Sequence, residues 1–357
     1  MGSSGPRWVR RMVGAMVAAG ALTIAAHAEW TVVNLHPAGA MESWAFHVQG
    51  GQQVGWAVFD GGDHASLWTG SAASWVDLSP GTRAYGVDDG QQVGVVGTHA
   101  SLWSGSSESW VDLHPAGADE SMAIGVYEGQ QVGCALSVAG LHAGLWSGSA
   151  ASWVDLNPAG TSYSQANDIW GGQQVGWAEV WGNAHASLWS GTAASWVDLH
   201  PLGGGSYSEA YGVWGGQQVG VAGNRASLWS GTAASWVNLN PAGAYESRAF
   251  GIHGGQQVGS AYFGSGLLHA GLWSGSAGSW VDLHAFLPSG FTYSEAYGTW
   301  SDGASTYIAG YAYNAAAGRT EALMWIGPVP EPASGLALGA GLAALAISRR
   351  RSRSFGR

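Results

Sequence analysis

Four short motifs recur in a fixed order along the chain, and that recurrence limits its fold more than any other feature. The first has the form A-x-x-V, as in Ala45-Phe46-His47-Val48, with further copies starting at Ala84, Ala123, Ala166, Ala210, Ala249 and Ala296. The second is QQVG at Gln52, Gln91, Gln130, Gln173, Gln217 and Gln256, with a worn seventh copy, Tyr307-Ile308-Ala309-Gly310. The third resembles HASLW and ends at Trp68, Trp103, Trp146, Trp189, Trp229, Trp273 and Trp325. The fourth is WVDL, or its variant WVNL, starting at Trp75, Trp110, Trp153, Trp196, Trp236 and Trp280. Aromatic and β-branched residues bounded by Gly, Ser, Asn or Pro are strand chemistry. Four strands in a repeat of about 40 residues predict a β-propeller blade.

The copy numbers predict how the ring closes. The third motif occurs seven times, but WVDL follows it only six times, and the missing copy stands at the front as Trp30-Thr31-Val32-Val33-Asn34-Leu35. A chain that begins on a fourth strand and ends on a third can complete its last blade with its first strand. An open solenoid would instead leave two sheet edges unpaired. The expected fold is all-β: a seven-bladed β-propeller of four-stranded blades, closed by residues 30–35.

Composition narrows the function. The chain has 59 glycines and 22 tryptophans, only 10% charged residues, and no lysine. Eight of the 12 arginines lie at the two ends, so Glu29 to Glu331 holds four arginines against 23 carboxylates, a formal charge of −19. A surface of that sign repels phosphate backbones, which excludes nucleic acid as a partner. A single cysteine, Cys134, rules out an intrachain disulfide. No Cys/His spacing suits a metal and no cofactor fingerprint is present, so neither a metal nor a cofactor is expected.

The two ends read as addresses. Residues 1–28 carry Arg7, Arg10 and Arg11, an apolar run from Met12 to Ala26, and the small-x-small triplet Ala26-His27-Ala28. That order is a secretory signal peptide. The apolar run is shorter than the roughly 20 residues a membrane span needs. Twin-arginine export is a second route, though Met12, Val13 and Gly14 support it poorly. Residues 328–357 hold Val329-Pro330-Glu331-Pro332, a Gly/Ala/Leu run to Ile347, and Arg349, Arg350, Arg351 and Arg353. The prolines break structure arriving from the domain, the apolar run enters a bilayer, and the arginines stay cytoplasmic. An ordinary tail anchor would show some of this. The tripartite order resembles the PEP-CTERM sorting signal of bacterial exported proteins. The resemblance implies processing by an exosortase-type membrane protease in a bacterium that makes an exopolysaccharide matrix. Membrane contact is then expected only through the C-terminal segment, with the protein exported to the envelope, outer surface or matrix.

Between these ends, residues 29–327 form the expected propeller. His64-Ala65-Ser66-Leu67-Trp68 and the Asp-Leu, Ser-x-Ala and Gln-Val-Gly elements around it resemble the HAF-type extracellular repeat, over residues 30–326. That family implies exported, propeller-like proteins and no defined chemistry. Ser or Gly stands here where the family has Phe.

Fourteen tryptophans fall in two repeat columns, Trp30 with the WVDL copies and the seven LW copies. Both columns are expected to pack between blades, each ring burying about 150–250 Å2. His64, His99, His142, His185 and His269 each stand 13 residues before an aspartate: Asp77, Asp112, Asp155, Asp198 and Asp282. Where His becomes Arg225 the aspartate becomes Asn238, and where it becomes Glu321 the counterpart is Asn34. The paired departures predict contact, so a structural His–Asp hydrogen bond is expected in each blade, similar to that of WD-repeat propellers. Five separated copies cannot converge on one metal.

Loop lengths locate the expected binding face. The third-to-fourth connections have one length (TGSAAS, SGSSES, SGSAAS, SGTAAS, SGTAAS, SGSAGS), and the first-to-second ones are short and Gly-rich. The other two kinds vary, and in an up-and-down blade both emerge on the same side. Binding is usually carried by variable loops on a rigid scaffold. That face is expected to carry Glu42, Glu120, Glu246, Tyr163, Tyr207 and Tyr293, with Glu209 and Glu295 beside two of the tyrosines. Carboxylates with exposed aromatics suit neutral sugars or Ca2+, although no Asp-x-Asp-x-Asp run supports calcium. A solvated rim would look the same. The reading is an exported, non-enzymatic propeller that binds, adheres or builds structure in an exopolysaccharide matrix. The alternative is a glycan-processing hydrolase with Glu120 and Glu246 facing each other across a central funnel.

Overall fold

The computed structural model describes residues 30–264 and 267–329. The expected signal peptide and most of the sorting segment, including Pro330, Glu331 and Pro332, lie outside the described residues, while Val329 lies at their edge.

Among the described residues the chain forms seven four-stranded antiparallel sheets, each in simple up-and-down order. Blade 1 comprises Glu42–Gln49, Gln52–Phe59, Gly62–Trp68 and Val76–Pro80. Blade 2 begins at Thr82, blade 3 at Glu120, blade 4 at Ser164, blade 5 at Ser208 and blade 6 at Ala244. Blade 7 takes Phe291–Ser301, Ser305–Asn314 and Arg319–Pro328, and its fourth strand is Thr31–Asn34. Thr31 pairs with Ile326 and Asn34 with Leu323, so the first strand of the chain closes the ring as the motif phase requires. First strands of successive blades pack on one another around the axis, which makes them the innermost.

The core lies between blades. Each of seven apolar clusters joins the third and fourth strands of one blade to the next blade's first strand and its LW tryptophan. Val54, Leu67 and Leu78 of blade 1, for instance, meet Ala84, Val87 and Trp103 of blade 2. All seven LW tryptophans are fully buried. The WVDL column meets the expectation in part: Trp30, Trp75, Trp153, Trp196, Trp236 and Trp280 pack against these clusters from the side. They are only partly covered, and Trp110 remains 44% exposed. Their strand is outermost, with a sheet neighbour on one side only, so each ring rests on its own third strand.

Two residues of QQVG are set by geometry. The innermost strand of every blade carries a bulge just after its motif alanine, as between Ala45 and His47. A β-carbon on the opposing Gly55 would run into the carbonyl of Trp44, so this position has no room for a side chain. The second glutamine is buried and acts as a latch. In blade 1 the Gln53 amide donates to the Gly51 carbonyl at 3.0 Å, while its oxygen accepts from Gly70 N–H at 2.8 Å in the third-to-fourth connection. The same bond joins Gln92 to Gly105, Gln131 to Gly148, Gln174 to Gly191, Gln218 to Gly231 and Gln257 to Gly275. Blade 7 has no such connection, because its third and fourth strands come from opposite ends of the chain, and there Ile308 replaces the glutamine.

Candidate functional site

The five His–Asp pairs are joined as spaced. Nδ1 of His64, His99, His142, His185 and His269 lies 2.7, 3.0, 2.8, 2.9 and 2.8 Å from Oδ2 of Asp77, Asp112, Asp155, Asp198 and Asp282. A carboxylate only accepts, so the ring N–H donates. In four of these aspartates the other oxygen accepts the backbone N–H two residues on, as from His200 to Asp198 at 2.8 Å. Asn34 and Asn238 keep that second bond through Oδ1. Asn34 also donates to Glu321 at 2.8 Å, whereas no hydrogen bond joins Arg225 to Asn238 among the described residues. Both departures thus preserve the turn, while only Asn34 keeps a bonded partner across the strands.

A second relay fastens six of the seven crossovers, and Thr82 on the Ser79 carbonyl stands in for it between blades 1 and 2. In blade 3, His114 Nδ1 lies 2.8 Å from Ser121 Oγ, which accepts the Ala100 N–H of blade 2 at 2.9 Å. Asn157 and Asn240 replace the histidine with the same effect on Ser164 and Ser247. These histidines are thereby committed to architecture, and no group of three or more metal-ligating side chains exists among the described residues.

Both variable connections meet on one face. Backbone bonds tie crossovers to second-to-third turns, as from Asp119 N–H to the Leu136 carbonyl at 2.7 Å and from Gly223 N–H to the Tyr207 carbonyl at 2.8 Å. Beneath this face the innermost strands enclose a cavity of about 380 Å3. The residue after each motif alanine lines it: Phe46, Tyr85, Ile124, Asn167, Tyr211, Phe250 and Tyr297. Five of these seven are aromatic. Phe250 stacks on Tyr297 at 4.4 Å, and Phe46 meets Tyr297 edge-on at 4.8 Å.

The next residue along each strand sits at the bulge, where neighbouring blades nearly touch. Glycine fills it in five blades; a β-carbon on Gly86 would lie 2.6 Å from the Ile124 carbonyl oxygen. The two exceptions, His47 and Asp168, are half-buried at the cavity wall and bridge to the next blade. His47 Nδ1 donates to the Val87 carbonyl at 3.1 Å, and burial pulls its pKa down to about 4. Asp168 accepts the Ile169 and Val213 N–H groups, both at 2.9 Å, and burial pushes its pKa up to about 7.

At the variable face the residue before each motif alanine forms the mouth: Trp44, Arg83, Met122, Gln165, Glu209, Arg248 and Glu295. Glu295 receives the Tyr311 hydroxyl at 2.8 Å, the Tyr297 hydroxyl at 3.3 Å and the Ser260 hydroxyl at 3.4 Å. Burial raises its pKa against the pull of those donors, and the same burial raises the pKa of Tyr211 and Tyr297. Arg83 pairs with Asp63 at 2.7 Å and lies 4.5 Å over the Trp56 ring.

The structure gathers some of the expected residues and separates others. Glu246 and Glu295 share a depression of about 240 Å3 with Arg248, Ser260 and Leu268. Tyr293 stacks on Tyr313 and meets Tyr311 edge-on, each at 6.1 Å, which places it one ring behind Glu295. Glu209 precedes the cavity residue Tyr211. Glu120 lines a different depression, beside Met122, Cys134 and Gln165, so it does not face Glu246 within one cavity. Glu42 sits where blade 1 begins, and Tyr163 and Tyr207 hold second-to-third turns through backbone carbonyls. The aromatic lining itself was overlooked by reasoning from loops. Its signal is the variable second letter of A-x-x-V: the alanine is buried between blades, so its neighbour on an extended strand points the other way.

A sequence profile of the PEP-CTERM protein-sorting motif matches residues 328–351. The chain therefore ends in a sorting motif that implies export, sorting to the cell surface and exosortase processing, with a membrane-associated C-terminal segment. No curated protein matches the chain in sequence. Among solved structures it is similar to puromycin hydrolase, at 13% identity and a TM-score of 0.54 over 81% of this chain and 56% of that one. The S511A mutant of that hydrolase complexed with PGG matches at 12% identity and 0.53, over 79% and 53%. YCF48 bound to D1 peptide matches at 11% identity and 0.47, over 84% and 97%. The chain spans just over half the length of the hydrolase, and at such identity the likeness is one of fold.

Proposed function

We propose that this surface-sorted propeller is a non-enzymatic glycan-binding protein of an extracellular exopolysaccharide matrix, acting through the aromatic cavity and its mouth on the variable face. The observation that carries the reading is the pairing of stacked rings with an oriented carboxylate. Tyr211, Phe250 and Tyr297 offer flat apolar faces to the C–H face of a pyranose, while Glu295 and Glu209 accept from its hydroxyls. A cavity of about 380 Å3 falls within the range of small-ligand sites, mostly apolar with a few placed polar groups. The strongly negative surface favours an uncharged ligand.

The test is a binding screen of the purified protein against a polysaccharide panel, including the producing cell's own matrix, with and without calcium. Sugar release is followed in the same samples. Saturable binding without release, weakened by Phe250→Ala, supports the reading; absence of binding to every polysaccharide overturns it. The hydrolase reading has one specific observation in its favour, the raised pKa of Glu295 beside Glu246 in one depression. Sugar release abolished by Glu295→Gln would establish it.

A further inference from the structure

At the far end of the cavity, on the face with constant connections, the last residue of each innermost strand borders the axis. In blades 3 to 6 these residues are Tyr127, Trp170, Trp214 and His253, all partly exposed. Their rings form a continuous arc, with centroid steps of 5.9, 5.6 and 5.0 Å. Such steps are close to the advance of one pyranose along an extended polysaccharide.

Tyr127, Trp170 and Trp214 pack in part against the apolar clusters between blades, and three further observations bear on the surface they leave exposed. In blades 4 to 6 the adjoining turns are the glycine pairs Gly171-Gly172, Gly215-Gly216 and Gly254-Gly255, which carry no side chains to cover it. Those turns and the third-to-fourth connections beside them contain no Asp, Glu, Arg or Lys. At the arc's blade 6 end, His253 Nδ1 and Gln256 Nε2 are buried without a hydrogen-bond partner among the described residues, and Gln256 is only 6% exposed. A buried polar atom without a partner carries a free-energy penalty that a ligand hydroxyl can relieve. In blades 4 and 5 the first glutamine of QQVG also stands directly across its hairpin from an arc residue, Gln173 from Trp170 and Gln217 from Trp214, and both are partly exposed.

We infer that this face is a second binding site, which takes an uncharged polysaccharide chain laid across Trp170 and Trp214 and hydrogen-bonded at its end by His253 and Gln256. Rings supply stacking surface, amides read hydroxyls, and the lack of charge selects against an acidic chain. A propeller with a saccharide site on each face is a two-sided cross-linker. That consequence rests on the channel reading; the second site does not.

The experiment measures stoichiometry and affinity of the full-length protein for oligosaccharides prepared from a neutral polysaccharide. Trp214→Ala removes one ring of the arc. A second variant, Gly171→Asp with Gly215→Asp, leaves the core untouched. It copies the Asp89-Gly90 turn of blade 2, where Asp89 already adopts a positive φ of 43°, close to the 57° and 59° of the two glycines. The expected result is two sites in the parent protein. Either arc variant should lose one site or weaken it by about tenfold or more, with the channel site intact. A channel variant, Phe250→Ala, should lose the other. Arc variants that bind like the parent overturn the inference. So does self-association of the parent protein through this face, seen in sedimentation as a dimer that Gly171→Asp/Gly215→Asp abolishes without any saccharide bound.

Discussion

The six-membered ring of Trp153 occupies the space that a β-carbon on Gly144 would take. The same relationship holds between Trp280 and Gly271, and in blade 7 the Trp30 ring takes the space over Gly327, two residues beyond the third motif. In the blades where serine replaces this glycine, its hydroxyl instead accepts the indole N–H, at 2.9 Å from Trp196 to Ser187. The Ser/Gly alternation in the third motif therefore records two seats for one tryptophan. With glycine, the ring drops onto the fully buried LW tryptophan, and Trp146 lies 4.6 Å from Trp153. Gly144→Ala should cost about 1–3 kcal/mol by forcing the ring out of its seat. Ser187→Ala should cost about 1 kcal/mol by leaving the Trp196 N–H without its acceptor. Chemical denaturation of both variants checks the order.

The His–Asp bonds should differ in worth according to cover. Side chains of His185 and Asp198 are 10% and 35% exposed, whereas His99 and Asp112 are both 41% exposed. Asparagine keeps the turn bond, as Asn34 and Asn238 demonstrate, so a Asp→Asn change isolates the bond to histidine. Asp198→Asn is expected to lower stability by about 1 kcal/mol. Asp112→Asn should fall within about 0.5 kcal/mol of the parent, because solvent screens the exposed pair. Equal melting temperatures for Asp198→Asn and the parent would contradict a structural role.

The glutamine latch predicts a larger effect from a neutral residue. Gln174→Ala leaves the Gly191 N–H and the Gly172 carbonyl without their side-chain partner. The expected loss is about 1–3 kcal/mol, read from urea unfolding, with faster hydrogen exchange confined to the 190–195 connection. Ile308→Ala in blade 7 should instead behave as an ordinary core truncation, of about 2–5 kcal/mol, with no such local signature.

His47 and Asp168 should give stability opposite dependences on pH. Asp168 is raised from the usual carboxylate range to about 7, so the native state holds its proton more tightly than the unfolded chain. Its contribution is fully present at low pH and is lost as pH rises from about 4 to 7. His47 is lowered to about 4, so its contribution is present above about pH 6.5 and is lost as pH falls towards 4. Relative to the parent, Asp168→Asn should make stability rise more steeply with pH over that window, and His47→Gln should make it rise less. Each change in slope is expected to approach about 1 kcal/mol per pH unit, the value for one proton. Denaturation curves at several pH values measure both.

The blade count, strand order and ring closure were legible because motif phase is a topological statement. Thr31–Asn34 pairs with Arg319–Pro328 because both segments carry halves of one repeat. The His–Asp spacing was legible for a similar reason, since two positions that depart together announce a contact. The channel lining was harder to read. Phe46, Tyr85 and Tyr297 follow a motif alanine, but only the bulge and the closeness of the neighbouring blade decide which side chain meets the axis. That Glu120 and Glu246 line separate depressions was not legible, because their placement depends on strand starts that no local spacing fixes. The latch glutamine looked like any strand-start polar residue until the connection it holds was seen folded back over it.

Affinity of the full-length protein for neutral oligosaccharides, measured by calorimetry for the parent and for Phe250→Ala, tests the glycan-binding account most directly. The account predicts saturable binding that weakens by about tenfold or more when the ring stacked on Tyr297 is removed, with the fold intact. Identical titrations for the two proteins would contradict it.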